Sequence, residues 1–447
     1  MRPHLGPTDP PLNIAVIGSG ISGLSAAWLL GQRHAVTLYE ADPRLGGHSH
    51  TVDAPGPDGA TPVDTGFIVY NELNYPNLTA LFEHLGVPTK AAEMSFSVSL
   101  DGGALEYGSQ GIAALFAQKR NLANPRFWGM IADLLRFHRT APRDLPALEG
   151  SLLSLGDYLA QNRYGVAFRE HHLLPQAAAI WSSSIGQMLG YPAAAFIRFY
   201  VNHRLLNWDV KPTWTTVDGG SRQYVDRLVA GFTGEVCKNN PVIGVARDRS
   251  GATVRTAGGE RRFDRVLIAT HSDQALRLLD APTDAECALI GAVRYQPNRA
   301  VLHRDERLMP RRKAAWASWN YVGEAAQDGG ITYWMNRLQG LDGGPLFVSL
   351  NPASEPRAET VIRDQTYEHP VFDAAAIEAQ RRLWTLQGQH NTWFAGAWFG
   401  SGFHEDGLQA GLAAAEAMGG VRRPWTVPNE SGRIVLGPPE PSACAAA

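Results

Sequence analysis

The sequence predicts an α/β protein whose main sheet is parallel and is assembled from stretches of chain far apart in sequence. Three observations carry that prediction. Ile14-Ala15-Val16-Ile17 is an apolar run that enters the glycine turn Gly18-Ser19-Gly20-Ile21-Ser22-Gly23, continues as a helix through Leu30, and returns as Val36 to Tyr39 before Glu40. Similar apolar strands ending in small residues recur at Arg265 to Thr270 and Thr392 to Ala397, as the ligand-binding carboxyl edge of a parallel sheet requires. Between them lie stretches of different texture, which predict an inserted α+β domain: alternation over Ser95 to Leu100, a helical section from Ile112 to Tyr200, and strands at Ile331 to Met335 and Leu346 to Leu350.

The opening unit is Rossmann-like. Gly18 permits the tight reversal from strand to helix, Gly20 leaves no Cβ between backbone and a pyrophosphate, and Gly23 lets the helix pack close on the sheet. The helix N-terminus then offers unpaired N–H groups and a positive dipole end to the anion. Glu40 follows Gly18 by 22 residues, where a carboxylate can accept both ribose hydroxyls of an adenosine. A glycine-rich turn alone is usually only a turn; strand, helix and acid together make a dinucleotide site.

After Glu40, Arg44-Leu45-Gly46-Gly47-His48 places a guanidinium and permissive backbone near the same phosphates, although a solvent-facing arginine loop has the same composition. Val63 to Val69 reads as a strand into the turn at Gly66, and Tyr75 to Leu85 as a helix ended by Gly86. Pro125 to Arg139 is amphipathic, aromatic and basic, suited either to a lipid surface or to ordinary core packing. His172 to Ser184 reads as a buried helix lining a cavity. The chain returns to the first domain near Trp214, through Asp218-Gly219-Gly220, a helix from Tyr224 to Ala230 and a strand pair over Val236 to Val245. Leu408 to Met418 forms a closing helix, and the tail from Gly419 reads as poorly ordered.

At 447 residues the chain exceeds the usual span of one core. Forty basic against 43 acidic residues, a net charge of −3, exclude a general polyanion-binding role, so no nucleic-acid partner is expected. Three scattered cysteines, Cys237, Cys287 and Cys444, point to a reducing compartment and no metal site. The first eleven residues lack the apolar core of a signal peptide, and no run approaches about 18 apolar residues. A cytoplasmic location is expected, with peripheral membrane contact through 125–139 left open.

These motifs, in this order, resemble the flavin amine oxidase superfamily: monoamine oxidases, protoporphyrinogen oxidase, phytoene-type desaturases and flavin-dependent fatty-acid isomerases. The resemblance implies FAD, held in a discontinuous domain of residues 1–90, 210–290 and 385–420. The substrate domain would be 91–209 and 291–384, followed by a tail from 421 to 447. It implies cofactor contacts from Gly18, Ser19, Gly20, Ser22, Gly23, Glu40, Ala41, Arg44, Gly46, Gly47 and His48. Others would come from Gly66, Phe67, Ile68, Val242 beside the adenine, Ala269, Gly396, Ala397, Phe403, Asp406, Gly407 and Leu408. The closing helix would aim its N-terminus at the flavin N1–O2 edge. His48 and His50 are conceivable covalent tethers.

Two departures stand out. Many relatives carry an acid just after the final Ala-Gly turn, where this chain has Ala397 and Trp398, so either Glu405 or Asp406 substitutes for it or the ribityl contacts differ. Amine oxidases place a lysine behind flavin N5, whereas Lys313, the only lysine of the second substrate segment, sits in a surface-like basic run. The Ala315 to Tyr321 string and the Gly402-Phe403-His404-Glu405-Asp406-Gly407-Leu408 ending resemble a bacterial branch associated with fatty-acid modification. That resemblance implies an apolar or acyl-lipid substrate, desaturated or isomerised by hydride removal. Amine oxidation with peroxide release and a non-catalytic flavin-binding role are the alternatives. The aromatic wall would come from Trp181, Tyr200, Trp319, Tyr333, Trp334 and Phe403. His203 or His404 would accept a proton, with Tyr333 beside the substrate.

Overall fold

The computed structural model describes residues 10–56, 59–206 and 212–437. Its central sheet has five parallel strands in the order Glu235–Cys237, Ala35–Tyr39, Asn13–Ile17, Arg265–Ile268, Thr392–Phe394. Ile17 pairs with Tyr39 on one side and Ile268 on the other, and Ile268 with Phe394. Strand ends therefore align, and Gly18, Glu40 and Ala269 share one edge. The helix Ile21–Leu30 is buried at all ten positions, as its uniformly apolar and small residues require. It lies against the closing helix His404–Gly419.

A second sheet has seven strands in the order Val361–Val371, Arg294–His303, Phe347–Leu350, Gly330–Trp334, Trp319–Gly323, Phe96–Leu100, Leu105–Gly108. All seven strands fall within 91–209 and 291–384, and all five of the parallel sheet within the other three stretches. A small sheet of Val69–Asn71, Trp214–Val217 and Thr89–Ala92 joins the first two returns of the chain.

Three expectations are corrected. The helix expected over 125–139 runs from Pro125 to Leu148, passing through Pro142 and Pro146; proline usually ends a helix, which is why the sequence suggested an earlier stop. The segment from His172 is not one helix: a π-turn over Arg169–Leu173 leads into Leu174–Trp181, which ends at the left-handed Ser182. The tail is ordered as far as Gly437. Trp425 stacks on Trp28 at 6.2 Å, the buried Arg423 binds Glu416, and Arg433 Nε donates to Asp406 Oδ1 at 2.6 Å. Residues 438–447 lie outside the described residues.

Glu405 and Asp406 anchor that tail. The Glu405 carboxylate accepts from Asn77 N, Leu78 N and Asn77 Nδ2, capping the helix Pro76–Leu85. Asp406 accepts from Phe403 N at 2.8 Å as well as from Arg433. Arg433→Met would leave a buried carboxylate without its cation, with an expected loss of about 3–5 kcal/mol in urea unfolding. Arg433→Met combined with Asp406→Asn should recover much of it, and an Arg433→Met loss under about 0.5 kcal/mol would contradict the buried-pair account.

Candidate active site

One cavity of about 1650 Å³ runs from the glycine turn to the inner face of the seven-stranded sheet. That exceeds the roughly 300–1,000 Å³ typical of a site for one small ligand, so a dinucleotide and a substrate can share it. At one end it is walled by Gly18, Gly20, Glu40, Arg44, Pro241 and Val242; at the other by Phe96, Trp319, Tyr333, Val348 and Leu350.

The glycine turn fits a dinucleotide. A Cβ on Gly18, whose φ is +96°, would stand 2.8 Å from Ala269 O, and one on Gly23 would stand 1.9 Å from Gly18 O. Both glycines are enforced by the protein itself. Gly20 differs: a Cβ there would meet nothing within 4 Å, so its open face is turned to the cavity. Ser22 lines the same end, and the helix beginning at Ile21 has no acid in its first turn to cancel the dipole. Glu40 Oε2 accepts from Ser19 N at 2.9 Å and Ser19 Oγ at 2.5 Å, and Oε1 from Asp42 N at 2.9 Å. The carboxylate is thus oriented on the carboxyl edge of the sheet, where ribose hydroxyls would lie.

The cavity wall also includes Ser19, Ala41, Gly47, His48, Gly66, Phe67, Ile68, Ala269, Gly396, Ala397, Phe403 and His404. Gly23 and Gly46 act from behind it, Gly46 N donating to Ser19 O at 3.0 Å. Asp406, Gly407 and Leu408 correct the expectation of direct contact: none of them lines the cavity. Asp406 is turned to Arg433, and a Cβ on Gly407 would strike Ile21 Cγ2 at 2.9 Å. Leu408 is fully buried in the main hydrophobic core. Glu405 cannot replace the missing acid either, being committed to the helix at Asn77.

The expected catalytic residues all reach the cavity, but burial changes their chemistry. His203 Nδ1 lies 2.9 Å from the Phe199 carbonyl oxygen, which can only accept. Nδ1 therefore carries the proton, and Nε2 is a bare acceptor with no partner among the described residues. Burial, reinforced by the charge of Arg433, pushes His203 down to about 3. Burial likewise takes His404 to about 3, with its ring stacked on Phe67 at 4.0 Å and Nε2 at 2.8 Å from the Tyr224 hydroxyl. Neither imidazole titrates near neutrality as free histidine does, which corrects their reading as proton shuttles. Burial also raises the Tyr333 phenol well above its ordinary value.

Of the expected aromatic wall, Trp181, Trp319, Tyr333 and Phe403 line the cavity, whereas Tyr200 and Trp334 do not. Tyr200 stacks on Phe196 in the helical core and Trp334 packs edge-on to Trp316. Phe199 completes the wall, 4.5 Å from Trp181, 3.8 Å from His203 and 5.0 Å from Phe403. Lys313 is exposed and paired with Glu306, and no lysine lines the cavity among the described residues.

Sequence reasoning missed two groups. His271 and His369 converge on His48 at ring distances of 5.8 and 5.5 Å, beside Tyr367 at 5.0 Å. Burial and the mutual repulsion of these rings hold His48 well below its ordinary pKa. Their three stretches are over 200 and nearly 100 residues apart, so only the fold unites them. The second is the set of partners of Asp64, which the sequence singles out only within the Asp64-Thr65-Gly66-Phe67 motif: its carboxylate accepts from Thr51 Oγ1, Ser221 N and Gln339 Nε2, tying the two domains together. The Asp64-Thr65-Gly66 and Asp218-Gly219-Gly220 motifs meet there.

Comparison with known proteins agrees with this geometry. The family described as flavin containing amine oxidoreductase matches residues 21–333, well over half the chain. An L-amino-acid oxidase of Notechis scutatus scutatus is 47% identical over 51 residues, which span 11% of this chain and 10% of that relative. The cyclohexylamine oxidase of Brevibacterium oxydans IH-35A superposes with a TM-score of 0.65 at 17% identity, covering 92% of this chain and 99% of that one. A CLA-producing fatty acid isomerase from P. acnes does so with a TM-score of 0.64 at 15% identity, covering 91% and 97%. At such identities the two structures show a shared fold.

Two outcomes follow from the geometry. Gly20→Ala should leave unfolding of the FAD-free protein within about 0.5 kcal/mol of the parent, because no protein atom stands in the way. It should weaken FAD binding at least about tenfold by fluorescence titration; unchanged affinity would show that the diphosphate does not rest on Gly20. Acid should destabilise the FAD-free protein through its buried histidines. Above the ordinary value of 6.5 both folded and unfolded histidines are neutral. Below it the unfolded chain binds protons that the folded protein refuses until about pH 3 for His203. Stability therefore falls with acidification across that window, His203 contributing up to about 1.4 kcal/mol per pH unit. The raised carboxyls of Asp64 and Glu405 oppose this fall. His203→Phe should flatten the slope by its share in melting curves taken across that range, and an identical slope would contradict a neutral buried imidazole.

Proposed function

We propose that this chain, which belongs to the flavin containing amine oxidoreductases, is an FAD-dependent oxidoreductase whose substrate is an apolar acyl or polyene chain, which it desaturates or isomerises. FAD, when bound, supplies an acceptor for a hydride leaving a substrate C–H. The observation that supports the reading is the wall beyond the dinucleotide end: Phe96, Ile180, Trp181, Phe199, Trp319 and Leu350 face one continuous space.

The residues of the chain divide the work. The glycine turn and Glu40 hold the adenosine diphosphate half, and Gly66 with Phe67 shapes the passage towards the reacting end. Phe67 N donates to His48 O at 2.9 Å, and a Cβ on Gly66 would stand 2.1 Å from that oxygen, so this passage is set by close backbone contact. The aromatic stack of Trp181, Phe199 and Phe403 excludes water and aligns a flat or extended hydrocarbon. His203 Nε2 offers a fixed hydrogen-bond acceptor inside that wall, and because the ring stays neutral it adds no charge to an apolar site.

Anaerobic titration of the FAD-loaded protein tests the reading. Unsaturated and saturated long-chain acids should bleach the flavin absorbance, or be returned as double-bond isomers by mass spectrometry, while primary amines leave it unchanged. Bleaching by amines with no response to acyl chains would assign amine oxidation instead. With a reactive chain that carries a hydroxyl, His203→Phe should raise KM about fivefold, the worth of one hydrogen bond to the Nε2 acceptor, and should leave KM of the chain without the hydroxyl unchanged. kcat/KM of the parent should show no inflection from this ring between about pH 5 and 8.

A further inference from the structure

The helix Pro125–Leu148 presents two faces of opposite use. Phe127, Met130, Phe137 and Ala141 are buried in the core, and Leu134 and His138 form part of the cavity wall. On the outside, Trp128, Ala132, Leu135 and Arg139 follow one another at helical spacing and are all exposed. Trp128 is 47% and Leu135 51% exposed, and beside them Leu122 is 55% and Ile112 78% exposed. A monomeric protein scatters such residues; here they are gathered and held in place. Trp128 Nε1 donates to Leu122 O at 2.9 Å, and the Trp128 ring lies 5.7 Å from that of Phe116.

Most of the stretch of chain that forms this patch carries charges of one sign. From Gly111 to Ala132 the chain carries Lys119, Arg120 and Arg126 and no Asp or Glu, and Arg139 and Arg143 extend the same side of the helix. The acids on the helix itself are engaged elsewhere: Asp133 accepts from Arg136 and Gly165 N, and Asp144 from the Tyr158 hydroxyl. An aromatic residue and aliphatic side chains flanked by cations that form no ion pair among the described residues complement an anionic lipid surface. Tryptophan favours the headgroup boundary, and cations there are drawn to acidic headgroups.

We propose that Ile112, Leu122, Trp128 and Leu135, with Lys119, Arg120 and Arg126, form a docking face for an anionic lipid bilayer. Docked in this way, the helix stands between membrane and cavity, with Leu134 and His138 on its inner side. The patch binds as a peripheral contact, since among the described residues no helix is long and apolar enough to cross a membrane.

Flotation of the FAD-loaded full chain with vesicles tests this without any substrate, so its outcome is independent of the reaction proposed above. The chain should float with phosphatidylcholine vesicles containing phosphatidylserine and not with phosphatidylcholine alone, and raised salt should release it. Lys119→Gln with Arg126→Gln should weaken partition about fivefold per charge removed. Trp128→Ala with Leu135→Ser should abolish flotation while flavin absorbance and unfolding midpoint stay at parent values. No flotation with phosphatidylserine vesicles, or flotation unaffected by both variant pairs, would overturn the proposal. So would a dimer in light scattering that Trp128→Ala with Leu135→Ser dissociates, which would give the face to a second copy of the chain.

Discussion

The close contact of the first helix with the closing helix is the constraint on which the cavity depends. A Cβ on Gly411 would stand 2.2 Å from Ser22 O, so the two backbones touch there and only glycine admits the approach. Residues nearly 400 positions apart thereby set the same corner of the site: Gly20 and Ser22 from one helix end, Phe403 and His404 from the other. Both helices turn their positive ends to the cavity. The closing helix has acids at Glu405 and Asp406 in its first turn: Glu405 is engaged by Asn77, and Asp406 accepts from the N-cap Phe403 N and pairs with Arg433. Arg433 thus offsets the one carboxylate that caps this helix end.

The distribution of polar groups along the cavity follows from that corner. Oriented donors and acceptors cluster where the phosphate and ribose of a dinucleotide need them, around Ser19, Glu40 and Arg44. Beyond Phe67 the wall gathers Phe96, Trp181, Phe199, Trp319 and Leu350 among scattered polar groups such as Gln176 and Arg204, and burial lowers the pKa of its histidines. His404 has a hydroxyl on Nε2 and a phenyl ring against its face, an arrangement that orients the ring without supplying a counter-charge. A protonated imidazole would be costly in such a place, since no carboxylate partners it. Neutrality is thus a property of the packing and persists through the physiological range.

Legibility in the sequence tracked the locality of the physics. The strand, glycine turn and helix around Gly18 could be read because each glycine answers to neighbours within a few residues, or to the sheet edge beside it. The alternating strand at Phe96 and the strand at Ile331 were legible for the same reason. Asp406 was misread because its partner, Arg433, lies in a tail whose composition suggests disorder; nothing local says that a buried carboxylate waits for it. His271 and His369 carry no pattern of their own and acquire meaning only when two strands from different sheets bring them to His48. The pKa of His203 was invisible for a similar reason, since burial is a property of the assembled helices around Phe199 and Trp181.

A wall of this kind limits how sharply the enzyme can discriminate. Recognition of an apolar chain by aromatic and aliphatic contacts changes by only about 1–3 kcal/mol for each methylene gained or lost. A hydrogen-bonded site penalises a missing partner far more, because a buried polar group is left unpaired. In this cavity His203 Nε2 is a buried acceptor without a partner among the described residues. On the proposed reading, chain length would be read weakly and a hydrogen-bond donor on the substrate more strongly, with Gly66 and Phe67 fixing the other end of the span. Both are held by backbone, His203 through the Phe199 carbonyl and Phe67 through the His48 carbonyl. The spacing between the two is for that reason a rigid feature of the fold.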